Sequence, residues 1–238
     1  MSKKRILSHP AWILHHRPFS NSSMIFEVIT ADHGRIALLA KGSRSAKSKF
    51  RGILRPFMPL NISWLSRLNL GTLIDAEMKG LPLSLSGDAL ISGYYINELL
   101  LKLLHKDDLQ SEIFHLYSET IKNLINIENL SITLRQFEIK LLELLGYALN
   151  LDEDSRTRLP IDPIKYYIYN PDMGLSMVDI KKGPMIFLGS ELIAIRKQEF
   201  NCTNTLKCAS RLLRNVISHQ LGNKKLMTRK VIEEMKRR

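Results

Sequence analysis

Cysteine is scarce in this chain: Cys202 and Cys208 are the only two in 238 residues. That excludes a disulfide framework and a four-thiolate zinc centre. His219 is the only histidine near them, too far along a helix to complete a metal site, so both thiols read as free side chains in a reducing compartment. Long apolar runs are also missing, and nothing approaches the ~18 residues of a membrane span. His9, Pro10, His15 and His16 interrupt the apolar start, which excludes a secretory signal. Carboxylates are rare in the first 60 residues, where Glu27 and Asp32 stand alone against eleven basic residues. A metal-dependent nuclease needs acidic ligands within its basic region, so that class is disfavoured.

What is present is an ordinary core-forming composition, 45% apolar and 24% charged, under a net charge of +12. The charge is uneven: residues 61–160 hold nine basic against fourteen acidic residues, and residues 161–238 hold fifteen against seven. A membrane surface or an acidic protein would also suit a basic end. Two basic ends around an acidic middle suit nucleic acid better. The densest stretch is Lys41 to Leu60, with Lys41, Arg44, Lys47, Lys49, Arg51 and Arg55, no acid, and Gly and Ser as spacers. It reads as a flexible basic loop between strands, suited to a phosphate backbone.

The first eighty residues read as about five short strands. They include a hairpin, Met24–Ala40, around the turn Ala31-Asp32-His33-Gly34, and suggest a small closed barrel. After Leu81–Gly87 the period changes to three and four. Ile91, Tyr94, Tyr95, Leu99, Leu100, Leu103 and Leu104 mark one helix, and Ile113, Phe114, Tyr117, Ile121, Leu124 and Ile125 a second. Leu134 to Leu145 marks a third, with Ser131 as its expected cap and Gly146 as its stop. Residues 150–188 read as an irregular insert with a short hairpin at Tyr166–Tyr169, and the chain ends in helices with a basic tail after Met227. The expected division is a barrel (1–80), a helical domain (81–149), the insert (150–188) and the helical domain's second part (189–238).

Chemical motifs are few. Gly42 with Lys47-Ser48 is not a P-loop: the spacing is one residue short, Ala46 replaces a glycine, and Pro56 follows instead of a helix. His15 and His16, adjacent on a strand, are expected on opposite faces. Asp152–Asp154 is expected to be solvated. Phe57 and Trp64 are expected in the core, and Phe50 is open between core and base stacking.

Longer motifs carry a resemblance. The run from Leu14 to Leu60 with AKGSRS and RPF-PL, SGYYINELL at 92–100, LRQFEIKLLELLGYALNL at 134–151 and LGNKKLMTRKVIEE at 221–234 resemble the RecO family of bacterial recombination mediators. The resemblance spans nearly the whole chain in order. It implies an N-terminal five-stranded OB-fold barrel followed by a helical domain, an α+β multidomain chain without enzymatic activity or cofactor. It also implies binding of single- and double-stranded DNA, strand annealing, and engagement of the acidic C-terminal tail of single-stranded DNA-binding protein (SSB). Further implied partners are RecR and, indirectly, RecA, at a cytoplasmic, nucleoid-associated location. Many members carry a four-cysteine zinc site after the LGY motif, but no cysteine lies between Leu149 and Gly183 here, so no metal is expected.

On that basis Arg35, Lys41, Arg44, Lys47, Lys49, Arg51 and Arg55 are the candidate DNA contacts. Arg135 matches the family position associated with the SSB tail, with Lys140 and Arg214 as weaker candidates. The alternative reading is an RNA-binding OB-fold factor of ribosome or tRNA metabolism.

Overall fold

The structure is a computed structural model that describes residues 4–67, 69–106 and 108–236. Five strands, β1 (Arg5–Pro18), β2 (Met24–Thr30), β3 (Gly34–Ala40), β4 (Leu60–Leu65) and β5 (Gly71–Met78), close a barrel in the order β1-β2-β3-β5-β4. The β3–β5 pair is parallel and the other pairs antiparallel, which is the order of the expected OB-fold. Alternate residues point inward along each strand, so Ile13, Phe26, Val28, Ile36, Leu38, Leu60, Ile62 and Trp64 form one interior.

On β1 the alternation stops: Ala11, Trp12, Ile13 and Leu14 are all buried. The strand's outer face is covered by α1 (Gly87–Leu103) and α2 (Ser111–Asn123). A buried polar network locks this contact. A bulge between Ile13 and His15 frees the Leu14 carbonyl, which accepts a hydrogen bond from Asn97 Nδ2 at 2.9 Å. Tyr117 donates its hydroxyl to Asn97 Oδ1 at 2.8 Å, and Trp12 Nε1 donates to Ser118 Oγ at 2.8 Å. Burial pushes the Tyr117 phenol far up, so it remains a neutral donor. His15 and His16 follow the bulge in regular register, opposite Glu27 and Phe26, and the expected split onto two faces buries neither: both are exposed, with rings stacked 6.2 Å apart.

The β2–β3 turn admits only glycine at Gly34. Its φ is +60°, and a Cβ there would lie 1.9 Å from the Asp108 carbonyl oxygen. The segment after α1 is thereby laid directly on the barrel.

Two compact units result, and their boundary is not where the sequence period changes. Residues up to Ile127 and those from Leu226 onward form one; Glu128–Lys225 forms the other. The first two helices belong with the barrel because they cover β1. The expected basic tail is a helix, α6 (Met227–Lys236), packed on α1. Its first turn is capped from outside: the Glu98 carboxylate accepts from Met227 N (2.8 Å), Thr228 N (2.9 Å) and Thr228 Oγ1 (2.7 Å).

The second unit holds α3 (Leu130–Leu144), α4 (Gly189–Arg196), α5 (Thr203–Leu221) and a three-stranded sheet, β6 (Tyr166–Asn170), β7 (Gly174–Val178) and β8 (Ile186–Leu188), in the order β7-β6-β8. The insert is thus a small sheet, one strand richer than the expected hairpin. Ser131 is not the cap of α3; the helix begins at Leu130 after a 3-10 turn, and Asn129 holds the cap position. Its end is as expected. Gly146 (φ +81°) donates to the Glu143 carbonyl and Tyr147 to that of Leu142, a Schellman closure.

Asp154, expected in water, is 3% exposed. Its Oδ1 accepts from the amides of Arg156 (2.8 Å) and Thr157 (2.9 Å), and its Oδ2 from Met177 N on β7 (2.6 Å). Burial works against this charge, but the Thr157, Met177 and Arg156 amides outweigh it and hold the carboxyl below its ordinary 3.8.

Two outcomes are expected. Asn97→Ala leaves the Leu14 carbonyl and the Tyr117 hydroxyl buried without this partner and should lower unfolding stability by about 2–5 kcal/mol. A denaturant midpoint shifted by less than the equivalent of ~1 kcal/mol would show that the network does not fasten the helices to the barrel. For Asp154, a folded pKa below the unfolded one makes its contribution complete above about pH 4, lost as pH falls through the lower folded value. Amide exchange of β6–β7 should therefore be unchanged between pH 8 and 5 after correction for intrinsic rates. Asp154→Asn should open this sheet at neutral pH, at a cost of about 1–3 kcal/mol.

Candidate nucleic-acid and peptide-binding sites

Residues 41–59 cap one end of the barrel. The segment is rich in turns: Ser43 Oγ donates to the Ala40 carbonyl, Ser45 N to Gly42, Ser48 N to Ser45, Arg51 N to Ser48 and Ile53 N to Phe50, at 2.9–3.2 Å. Phe50 (6% exposed) and Met58 (1%) plug the interior, and Ile53 and Leu54 pack against it. The serines and the glycine that suggested flexibility therefore close successive turns. Phe50 joins Phe57 and Trp64 in the core and is lost as a stacking surface.

With its apolar side chains turned inward, the cap presents Lys41, Arg44, Lys47, Lys49, Arg51 and Arg55 to water. Arg44 also ties the cap to the β1–β2 loop: its amide donates to the Ser22 carbonyl (3.0 Å) and its Nη1 to that of Ser20 (3.1 Å). Lys49 lies 2.8 Å from Asp75 and over the Phe50 ring, and this ammonium holds the Asp75 carboxyl below its ordinary range. Both partners are exposed, so the pair leaves Lys49 free to exchange to a stronger anion. The cap is consequently a backbone held by turns that carries six exposed cations.

Arg35 stands apart from this set. It is 13% exposed, its Nη1 donates to the Leu101 carbonyl at 2.9 Å, and Glu27 lies 3.8 Å away. It joins β3 to the end of α1, with little of its side chain in water. The sequence could not separate it from the others because its partner lies 66 residues away. Conversely, His15, His16 and Arg17 are exposed at the end of β1 that leads into the loop held by Arg44. Burial, together with neighbouring His15, holds His16 below its ordinary pKa.

The second unit contains a groove of about 280 Å³ between α3 and α5, lined by Ser131, Leu134 and Arg135 from one helix and Thr203, Leu206, Lys207 and Ser210 from the other. Arg135 is anchored by Glu138, 3.1 Å away and 1% exposed. Holding the guanidinium on a buried carboxylate fixes its direction. Leu134 and Leu206 give the groove apolar walls, and exposed Lys207 adds a second cation. Arg214 continues the α5 stripe one turn beyond Ser210 and does not line the groove. Lys140 is paired with Glu143 at 2.8 Å, beside a separate cavity lined by Ile139, Glu143, Leu149, Leu151 and Ile195. Of the three candidates only Arg135 is in the groove. Lys207 was missed, though positions 203, 206, 207 and 210 form one helical face beside the core stripe Ala209, Leu212, Leu213 and Val216.

These features define an α+β protein with an OB-type barrel under a basic cap, followed by a helical region with a cation-rimmed groove. Residues 1–81 match the family profile described as "Recombination protein O N terminal", and residues 85–230 match "Recombination protein O C terminal". A protein of Coxiella burnetii called DNA repair protein RecO is 42% identical over 229 residues, covering 96% of this chain and 99% of that protein. Proteins of the same name from Nitrosospira multiformis (38% identical, 98% of each chain) and Alkalilimnicola ehrlichii (39%, 100% of this chain and 95% of the other) are equally collinear. The chain belongs to the RecO family of DNA repair and recombination proteins.

Proposed function

We propose that this protein is a recombination mediator that works by binding alone, with no chemical step. Its basic cap holds DNA phosphates and its α3–α5 groove holds the acidic tail of SSB. The observation that carries the reading is the cap: six exposed cations and no carboxylate on a backbone fixed by turns and core plugs. Such a surface contacts phosphates at little ordering cost and without reading bases, so it accepts single strands and duplexes alike. Holding two strands at one neutralised surface reduces their mutual repulsion and raises their effective concentration, which supports annealing.

The groove supports the second half of the proposal. A tail that is acidic and ends in an apolar residue with a free carboxylate needs an apolar slot beside a fixed guanidinium. Leu134, Leu206, Arg135 and Lys207 supply those elements. With RecR, engagement of SSB-coated DNA would expose strand for RecA, placing the protein at the nucleoid.

Two tests separate the halves. The triple variant Lys47→Glu, Lys49→Glu, Arg51→Glu should make the slope of log affinity against log salt for single-stranded DNA shallower by about 2, at ~0.7 per phosphate contact. An unchanged slope rejects the cap as the DNA surface. Arg135→Ala and Lys207→Ala should each weaken binding of an SSB-tail peptide by about tenfold or more, the value of a charge-assisted hydrogen bond. Their DNA salt slope should stay at the wild-type value. Since Arg135→Ala also strips Glu138 of its cation, Lys207→Ala, made at an exposed position, decides the question if the first variant loses stability.

A further inference from the structure

Phe19 is the one phenylalanine or tryptophan of the barrel region, residues 4–78, left in water. It is 56% exposed, whereas Trp12, Phe26, Phe50, Phe57 and Trp64 are all 6% exposed or less. A single exposed apolar side chain is ordinary. Its setting here is not. Phe19 opens the β1–β2 loop immediately after Pro18, and the loop is closed on itself by Phe19 N and Ser20 N donating to the Ser23 carbonyl at 3.1 and 3.4 Å. Arg44 then clamps the loop from the cap through the carbonyls of Ser20 and Ser22. The backbone that carries the ring is therefore held in one place, and little freedom is lost if a flat partner settles on it.

Two arginines lie by the position: Arg17 is two residues before it and Arg44 is bonded to its loop. The exposed His15–His16 pair precedes it on the same strand, with Glu27 opposite His15 on the neighbouring strand. Neither residues 15–23 nor residues 41–60 contain a carboxylate. An exposed apolar ring on a loop held by Arg44 and preceded by Arg17 suits a molecule with a flat apolar face and a polyanionic backbone. A nucleic-acid strand with unpaired bases has both.

We propose that Phe19 is a stacking platform for one unpaired nucleobase, by which this barrel distinguishes single-stranded from duplex DNA; this rests on the reading of the cap as a DNA surface. Cap cations meet phosphates of either form. The faces of paired bases are hidden in a duplex, so only a single strand gains the stack. The cap then sets overall affinity and salt dependence, and Phe19 sets the preference between the two forms.

The test measures binding of a fluorescent single strand, the matching duplex and an abasic strand of equal length. Wild type is compared with Phe19→Ala and Phe19→Trp at fixed salt. Phe19→Ala should bind the single strand about 5- to 150-fold more weakly, the worth of one base–aromatic stack, and the duplex and abasic strand within about twofold of wild type. Phe19→Trp should restore single-strand affinity. Because Trp12 and Trp64 are buried, its indole should dominate any emission change, quenched by the single strand and not by the abasic one. Phe19→Ala with wild-type affinity for the single strand, or with equal losses for all three ligands, overturns the stacking site. Loss of SSB-tail peptide binding in Phe19→Ala, with single-strand affinity intact, also overturns it and assigns the ring to a peptide. If the wild-type protein binds none of the three strands, the fault lies with the DNA reading of the cap, on which the proposal rests.

Discussion

The architecture of the first unit depends on one buried carbonyl. Leu14 sits at a bulge, its backbone oxygen is turned away from the strand ladder, and burial without a donor would be costly. Asn97 supplies the donor and is itself held by the Tyr117 hydroxyl, so a strand of the barrel and two helices meet at one hydrogen-bonded chain. The helices cannot be moved without stripping several buried polar groups of partners at once, which makes the arrangement specific as well as stable. Beyond the bulge the strand runs on in regular register, and His15, His16 and Arg17 are exposed at the end that leads into the loop held by Arg44. A local fault in one strand thus decides where the helices attach.

The chain's return reinforces this unit. After Lys225 it rejoins the barrel-bearing half, and Glu98 on α1 satisfies the free amides at the start of α6. That carboxylate is partly buried, which works to raise its pKa, yet the Thr228 and Met227 amides, the Thr228 hydroxyl and the Lys102 ammonium hold it down. A helix of basic character needs such a partner: its first-turn amides favour an anion, and Lys224, Lys225 and Arg229 supply none. Residues 128–225 are consequently an insertion between two segments of one unit, tethered at both ends.

The barrel was legible because period-two alternation, a turn containing Gly34 and spaced prolines are local signals. Its helices were legible from their apolar stripes, although Tyr94 and Ile125, assigned to those stripes, are 45% and 55% exposed. Charge was legible in amount but not in use. Lys41 and Arg35 look alike in sequence, and only the fold reveals that one faces water and the other the Leu101 carbonyl. Phe50 could not be placed because a basic loop gives no sign of having an inner side. Asp154 looked solvated because its partner amides include Met177, 23 residues on. In the groove Arg135 came from a motif, while Lys207 lay on a helix face whose polar spacing resembles any solvated surface.

Asp154 also accounts for how the insert persists where the sequence offers no thiolates. Between Leu149 and Gly183 there is no cysteine, and the carboxylate cross-links the 154–157 turn to β7 through three amides. A carboxylate can do this only if it is desolvated enough for its hydrogen bonds to be strong and is fully enough bonded to stay charged. Tyr167 adds a second tie, its hydroxyl accepting from Asp162 N at 2.9 Å while its ring is buried under the sheet. Around them Leu175 and Phe187 are fully shielded, so the insert has a small apolar centre pinned by one anion. Each cross-link from Asp154 is made to a backbone amide, so the turn and β7 are joined without any thiolate. The charge and the buried rings are what the sequence must keep.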